Sequence, residues 1–192
     1  MIEQQDSIIT DEMRALIGKE VKGPTSEPVT VTEIRRFSQA VFDNDPVHYD
    51  TPEAASSKFG GVVAPGPFAS LYGPRLGYRR YFGEPDPMVN HALDWTGNNN
   101  PLVEETEDTL TVKWPEGFVS FHGGDEMEIL QLAKPGERIS STRRISEIRE
   151  REGSTGRLGF VVAETIFTNE KGEVLCINRL TSVARNPNAS KK

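Results

Sequence analysis

The segment FDNDPVHYD places an aspartate, Asp43, five residues ahead of a histidine, His48. Histidine titrates near neutral pH and aspartate stays ionised there, so the pair can share general acid and general base duties in adding or removing water. Gly66 follows eighteen residues after His48, in the segment VVAPGPFAS. A glycine ahead of a helix lets a substrate oxygen approach backbone N–H groups, which stabilise developing negative charge. The three residues therefore predict acid–base chemistry beside an oxyanion site.

Taken singly, each of these residues also fits a structural role. Aspartate caps turns and helices, histidine forms hydrogen bonds inside proteins and on their surfaces, and a glycine between two prolines is typical of a turn. The functional interpretation therefore depends on the combined spacing of Asp43, His48 and Gly66, and not on any one of them.

Two short helices must position the aspartate and the histidine. A T-x-x-E capping box that begins at Thr30 predicts a helix that ends just before Asp43. A second helix is predicted to begin at Thr51, with a proline at its first position, and to stop at the two glycines at 60–61. Asp43 and His48 are therefore expected on the loop between two helices.

A third helix is predicted over Pro67–Leu76, immediately after Gly66. Phe68 and Leu71 lie three residues apart and share one apolar face of this helix. Among the predicted helices it is the best candidate for one that is surrounded by a sheet.

The second half of the chain has the pattern of strands. Residues 77–116 lack a sustained period and predict a long, irregular insertion. From residue 117 onward four segments with strand patterns are joined by short turns, one of them the hairpin signal NEKG at 169–172. Helices followed by an antiparallel meander predict an α+β fold.

Length and composition limit the classes of function. The 192 residues predict a single domain over 1–192 with a flexible tail at 186–192. The formal net charge of −7 argues against binding of nucleic acid. The chain has no apolar run of membrane-spanning length and no signal-peptide pattern, so no membrane association and a cytoplasmic location are expected. The single cysteine, Cys176, is expected to be buried, and the three scattered histidines predict no metal site.

Several segments resemble one enzyme superfamily. FSQAVFDNDPVHYD is similar to the signature of MaoC-like dehydratases and type 2, R-specific enoyl-CoA hydratases. GVVAPGPF, HGGDEMEILQLAKPG and residues 153–185 resemble the branch of dehydratases that are like those of fungal fatty acid synthase. The resemblance covers most of residues 18–185 and is weakest over 77–116. It implies an α+β hot-dog fold, in which an antiparallel sheet is wrapped around a central helix.

The resemblance also implies roles for individual residues. Asp43 and His48 correspond to the catalytic dyad, and Gly66 corresponds to the glycine whose N–H group holds the substrate oxygen. The neighbouring turn and the following helix are assigned to substrate binding, whereas the H-G-G step that enters a strand favours a structural role for His122, with a role in the substrate pocket as its alternative. The candidate substrate-binding residues are Pro65, Phe68, Ser70 and His122.

Three residues depart from the family pattern. Phe42 stands where a glycine usually precedes the aspartate, Asp45 replaces the usual asparagine, and Pro65 replaces a histidine that often precedes the glycine of the oxyanion site. Phe42 and Asp45 are expected to reshape the loop or to alter its acid–base balance. Some members of this branch lack the dyad histidine and serve as non-catalytic partners, so the presence of His48 favours a catalytic subunit.

The resemblance thus predicts reversible hydration of a 2-enoyl thioester to a 3-hydroxyacyl thioester. The expected partners are an acyl-CoA or acyl-carrier-protein substrate and a second hot-dog subunit, in a homodimer or a heterodimer. No cofactor is expected beyond the CoA or carrier group of the substrate. Two alternatives remain open, a non-catalytic acyl-binding subunit of a heteromeric hydratase and a hot-dog acyl-CoA thioesterase.

Overall fold

The computed structural model describes residues 7–23, 25–72, 110, 112–154 and 156–188. Helices come first and the long strands follow, so the predicted α+β class is confirmed. Most of the insertion predicted at 77–116 and residues 189–192 of the predicted tail lie outside the described residues. The elements are α1 (Asp11–Arg14), β1 (Glu20–Lys22), α2 (Val31–Ala40), a 3-10 helix (Pro46–His48), α3 (Pro52–Ser56), α4 (Phe68–Tyr72), β2 (Val119–Ile129), β3 (Ser140–Gly153), β4 (Gly156–Thr168) and β5 (Val174–Arg185).

The helix starts agree with the capping signals in the sequence. The Thr30 side chain accepts a hydrogen bond from the Glu33 N–H group, and the Glu33 carboxylate accepts one from the Thr30 N–H group in return. The Thr51 side chain caps α3 by accepting a hydrogen bond from the Ala54 N–H group, with Pro52 at the first helical position. Both predicted starts are confirmed, although α3 ends at Ser56, before the glycines that were expected to end it.

The five strands form one antiparallel sheet in the order β1-β3-β4-β5-β2. The NEKG hairpin joins β4 to β5 as predicted, with Gly172 at φ 78° and its N–H group donating to the Asn169 carbonyl. Strand β1 was not predicted, because three residues are too short for an alternating pattern to be recognised. It pairs with β3 and so forms the edge opposite β2.

One face of the sheet, called the inner face below, carries two apolar clusters. The first contains Ile34 from α2, Phe68 from α4 and Phe167 from β4. The second contains Met13 from α1 and Ile145 from β3. The helices therefore cover the inner face in two places, one at each apolar cluster.

The described part of the third helix, Phe68–Tyr72, begins as predicted, and the remainder of Pro67–Leu76 lies outside the described residues. Phe68 is fully buried, but Leu71 is 47% exposed, so the prediction of one shared buried face is wrong for Leu71. The chain turns Ala69 and Ser70 inward instead. Cys176 is buried as expected, and burial raises the pKa of its thiol to about 11.

The last residues of the predicted insertion pack onto the sheet without forming a strand. Leu110, Val112 and Trp114 lie against the second apolar cluster. The Trp114 ring rests on Gly159 so closely that a Cβ atom there would overlap it. None of the described helices is long and apolar enough to cross a membrane.

Candidate active site

The end of α2 sets the position of Asp43. Phe42 has a left-handed backbone with φ 58°, its N–H group donates to the Gln39 carbonyl, and the Asp43 N–H group donates to the Ser38 carbonyl at 2.9 Å. This is the Schellman arrangement, in which glycine is the usual left-handed residue. The family pattern that the sequence resembles has a glycine at the position of Phe42. Phe42 keeps the same turn at the cost of backbone strain and leaves its ring 87% exposed.

The Asp43 carboxylate is held at one oxygen and available at the other. Its Oδ1 atom accepts a hydrogen bond from the Asp45 N–H group at 3.1 Å. The Tyr49 hydroxyl donates to the Asp43 carbonyl at 3.0 Å, which fixes the backbone from the far side of the loop. These two hydrogen bonds hold the side chain and the backbone of Asp43, and together they set the position of the other carboxylate oxygen, Oδ2.

Asp45 begins the 3-10 helix that carries His48. Its Oδ1 atom accepts from the Val47 N–H group at 3.1 Å, and Pro46 occupies the first helical position. An asparagine could make the same cap through its side-chain oxygen. Asp45 therefore makes the cap that an asparagine could make, and its effect on the acid–base balance of the loop stays a prediction.

His48 is oriented from both ends of its ring. Nδ1 lies 2.7 Å from the Val63 carbonyl, and Nε2 lies 3.2 Å from Asp43 Oδ2. A carbonyl can only accept, so Nδ1 carries a proton and donates it, which leaves Nε2 as the atom that exchanges a proton with its surroundings. The His48 side chain is 8% exposed and that of Asp43 is 38% exposed, so the aspartate is the side of the pair open to solvent.

The segment after α3 links this pair to Gly66. The Val63 N–H group donates to the Val47 carbonyl at 3.0 Å, and the Ala64 N–H group donates to the Ala133 carbonyl at 2.8 Å. Gly66 follows three residues after Val63, within about 10 Å of chain length from the carbonyl that holds His48. Among the residues that the structure describes, no acceptor is bonded to the Gly66 N–H group.

Gly66 does not have a left-handed backbone, so a side chain at this position would be limited by its neighbours and not by backbone conformation. A Cβ atom at this position would overlap the side chain of Ile129 on β2. The glycine therefore lets the loop approach the inner face of β2 closely. This contact fixes which part of the sheet lies beside the candidate oxyanion donor.

The candidate substrate-binding residues next to Gly66 are all buried. The Pro65 carbonyl accepts from the Phe68 N–H group at 2.9 Å, and the Phe68 ring packs edge-on against Phe37 at 5.3 Å. The Ser70 hydroxyl donates to the Pro67 carbonyl at 3.1 Å and also lies against the Met127 sulfur at 3.6 Å. Pro65, Phe68 and Ser70 thus line the start of α4, and their role in binding stays a prediction.

His122 lies elsewhere, on the edge strand β2. Its Nε2 atom is 3.1 Å from Asp125 Oδ2, and both side chains are about half exposed. The two residues stand on either side of a β-bulge, where Gly123 is pressed against Val183 so tightly that a Cβ atom would clash. The described contacts of His122 indicate a structural role at this bulge, and a role in substrate binding stays a prediction.

Sequence reasoning missed three groups that hold the dyad. Ser38 and Val63 act through backbone carbonyls, which no side-chain motif reveals, and Tyr49 acts through its hydroxyl. Tyr49 follows His48 directly in the sequence, so the motif itself contained that signal. Within the described part of the chain, no three His, Cys, Asp or Glu side chains are grouped so that they could hold a metal ion.

Comparison with families of known proteins gives an independent view of the same residues. A family model described as the FAS1-like, dehydratase domain region matches residues 15–178. A UPF0336 protein of Mycobacterium tuberculosis (strain H37Rv) is 37% identical over 68 residues, which are 35% of this chain and 41% of that protein. The match to this relative therefore covers about two-fifths of its length.

Two solved structures have a similar fold. A MaoC-like dehydratase from Rhodospirillum rubrum superposes with a TM-score of 0.57 at 20% identity, over 88% of this chain and 92% of that one. The C-terminally truncated HadBC complex, a (3R)-hydroxyacyl-ACP dehydratase from Mycobacterium tuberculosis, gives 0.55 at 18% identity, over 91% and 98%. The hot-dog fold implied by the sequence is thereby confirmed.

Proposed function

Because the chain belongs to the FAS1-like dehydratase domain region family, we propose that it adds water to a 2-enoyl thioester, or removes water from a 3-hydroxyacyl thioester. The acyl group is carried by CoA or by an acyl carrier protein, and the hydroxy product has the R configuration. The reaction proposed here needs no cofactor, because both protons come from water and from side chains.

The dyad supplies both proton transfers. A water molecule bound beside the pair, within reach of both Asp43 Oδ2 and His48 Nε2, loses a proton to one of the two groups, and its oxygen bonds to C3 of the substrate. The electron pair of the C2=C3 bond moves to C2, which takes a proton from the other group. The two groups face each other at 3.2 Å, so a proton can pass between them and restore the starting state.

Gly66 stabilises the charge that develops during this addition. Attack at C3 places negative charge on the thioester oxygen, as in an enolate. The Gly66 N–H group, which has no acceptor among the described residues, can donate to that oxygen, and an oxyanion donor of this kind contributes about a hundredfold or more in rate.

The single observation that carries this proposal is the geometry of His48. The Val63 carbonyl fixes the proton on Nδ1 and so turns Nε2, the reactive nitrogen, toward the exposed carboxylate of Asp43. A histidine with only a packing role has no need of a carboxylate at its second nitrogen. This arrangement supports acid–base work by the pair.

The proposal is tested by following the absorbance of the conjugated thioester when purified protein is mixed with a trans-2-enoyl-CoA. Asp43→Asn and His48→Ala should each lower kcat/KM by at least about a hundredfold. Asp45→Asn is the matched control, because it removes a carboxylate two residues away and keeps the cap on Val47. Wild-type rates in both dyad variants would contradict the assignment, and release of free CoA would indicate a thioesterase.

A second hot-dog subunit is the proposed protein partner. Strand β2 is an eleven-residue edge strand with exposed apolar side chains at Val119, Phe121 and Ile129. Long apolar edges of this kind favour pairing with another strand. Light scattering of the purified chain should give the mass of a dimer, whereas a monomer that becomes active only with a second subunit would favour the heteromeric alternative, as in the HadBC complex.

A further inference from the structure

One row of residues crosses the inner face of the sheet from edge to edge. The pairing register places its members directly opposite one another on successive strands. In the order of the strands they are Val21, Arg143, Thr165, Asn178 and Met127. The three central members are polar, which is unusual for the covered face of a sheet.

This polar row lies between the two apolar clusters. Phe167 and Cys176, two positions along in one direction, belong to the first cluster. Ala163 and Ile145, two positions along in the other direction, belong to the second. The polar side chains of the row therefore separate the two apolar clusters on the inner face.

Two members of the row have a polar group with no hydrogen-bond partner among the described residues. Among the described residues, no carboxylate or other acceptor is paired with the Arg143 guanidinium group. Asn178 Oδ1 is buried without a hydrogen-bond partner. Burial lowers the pKa of Arg143, because the charged group has lost water and gained no anion. Unpaired polar groups in such places cost stability, and natural proteins seldom keep them without a use.

The row is connected to the proposed reaction site through β2. Ile129 lies against Gly66, and Met127, the next inner-face residue along that strand, contacts Ser70 on α4. Adjacent inner-face positions on a strand are about 7 Å apart, and strands are spaced by about 4.8 Å. Asn178 is thus one strand away from Met127 and Arg143 is three strands away, at about 14 Å.

We propose that Arg143 and Asn178 form a subsite for a carboxylate at the far end of the acyl chain. This inference rests on the proposed function, since it assumes that the thioester oxygen lies at Gly66. The bulky, charged nucleotide of CoA stays in water, whereas the acyl chain is the part of the substrate that can enter between two apolar clusters. A carboxylate fits the forked donors of Arg143, and the Asn178 amide, rotated by 180°, presents a donor to the same group.

The test compares two substrates that differ at one end. A straight-chain trans-2-enoyl-CoA is paired with the enoyl-CoA of equal length that ends in a carboxyl group, over a series of lengths. Wild-type protein should show kcat/KM at least about tenfold higher for the carboxyl-ended member at one length. Arg143→Met should remove that preference and keep turnover of the plain substrate, and Arg143→Lys should restore part of it because the charge returns.

A matched control separates this effect from a general loss of positive charge. Arg151→Met removes an exposed arginine from the same strand on the opposite face, where it pairs with Leu158, and should keep the preference. Equal rates for both substrates in the wild type would overturn the proposal. An equal loss for both substrates in Arg143→Met would also overturn it, because that result would indicate contact with CoA. A preference for an enoyl-CoA that ends in a hydroxyl group over the one that ends in a carboxyl group would overturn it as well.

A binding measurement keeps this inference separate from the proposed function. Saturated acyl-CoA thioesters with and without the terminal carboxyl group are not substrates, and calorimetric titration gives their dissociation constants. Tighter binding of the carboxyl-ended thioester that is lost in Arg143→Met supports the subsite even if no variant hydrates an enoyl-CoA. Equal binding of the two thioesters by wild-type protein overturns it whether or not hydration is observed.

Discussion

Two neighbouring rows of the sheet lie one residue apart on opposite faces, and they differ in whether their charged side chains are paired with opposite charges. On the outer face an alternating row of acidic and basic side chains crosses all five strands. Its members are Glu20, Arg144, Glu164, Arg179 and Glu126, each directly opposite the next. Every charge in this outer row has a partner of opposite sign. Arg179 lies 2.9 Å from both Glu126 and Glu164, and Arg144 lies 3.7 Å from Glu20.

Glu164 is the centre of the outer row. Its side chain is only 7% exposed, and it accepts from Arg144 Nε at 2.8 Å and from Arg179 Nε at 2.9 Å. The inner row has an arginine and an amide oxygen for which the part of the chain that the structure describes provides no such partners. The same sheet thus pairs every charge of its outer row, whereas the described residues provide no partner for the one charge of its inner row, Arg143.

The largest expected effect of breaking this contrast comes from Glu164→Gln. The change keeps the shape of the side chain and removes the anion between two guanidinium groups. We expect the free energy of unfolding to fall by about 1–3 kcal/mol, less than for a fully buried pair because both arginines keep access to water. Urea unfolding of the variant measures this, with Glu147→Gln as the exposed control on β3, and equal losses in both would contradict the special role of Glu164.

The same carboxylate should make stability depend on acid. Burial by itself would raise the pKa of Glu164, but the hydrogen bonds and charges of Arg144 and Arg179 outweigh burial and hold this pKa below its usual value. Its contribution is therefore complete above the unfolded pKa of about 4.3 and is lost as pH falls through the folded value. The stability difference between wild type and Glu164→Gln should be constant near neutral pH and shrink below about pH 4. A difference that grows in acid would contradict this sign.

Sequence reasoning succeeded where the signal is local and failed where it depends on pairing. The caps at Thr30 and Thr51 and the hairpin at 169–172 are complete within a few residues, so their positions could be read directly. The segment around Arg143 and Arg144 is different, because two adjacent arginines fit either face of a strand equally well. Only the pairing register of β3 decides which of them lies on the inner face.

In the candidate site, too, some groups could be predicted from the sequence and others could not. Asp43, His48 and Gly66 could be found from their spacing, because the chemistry belongs to side chains and to one missing side chain. The Val63 carbonyl that orients His48 lies fifteen residues away and is a backbone group, so no pattern of residue types identifies it. The strain at Phe42 was visible only as a departure from the family's glycine.

The left-handed backbone of Phe42 is a second unfavourable feature close to the candidate site, and substitutions at this residue measure its effect on stability. Phe42→Gly removes the left-handed strain at the end of α2 but makes the unfolded chain more flexible, so we expect a net gain of up to about 1 kcal/mol. Phe42→Ala keeps a Cβ atom and should give none of this gain. Thermal unfolding compares the three proteins, and a loss of stability in Phe42→Gly would show that the exposed ring makes stabilising contacts in the assembled protein.

The smallest expected effect is the change in the free energy of unfolding of Arg143→Met. It should differ clearly from the change caused by the same substitution at the neighbouring residue, Arg144. Arg143 has no described partner to lose, so an apolar side chain of similar length should leave the free energy of unfolding within about 0.5 kcal/mol of wild type or raise it. Arg144→Met, one residue along, leaves Glu164 with one arginine fewer and should destabilise the protein. Urea unfolding of the two variants gives both values. A large loss in Arg143→Met, equal to that in Arg144→Met, would mean that the inner arginine supports the fold, and the two rows would then differ only in which side of the sheet they face.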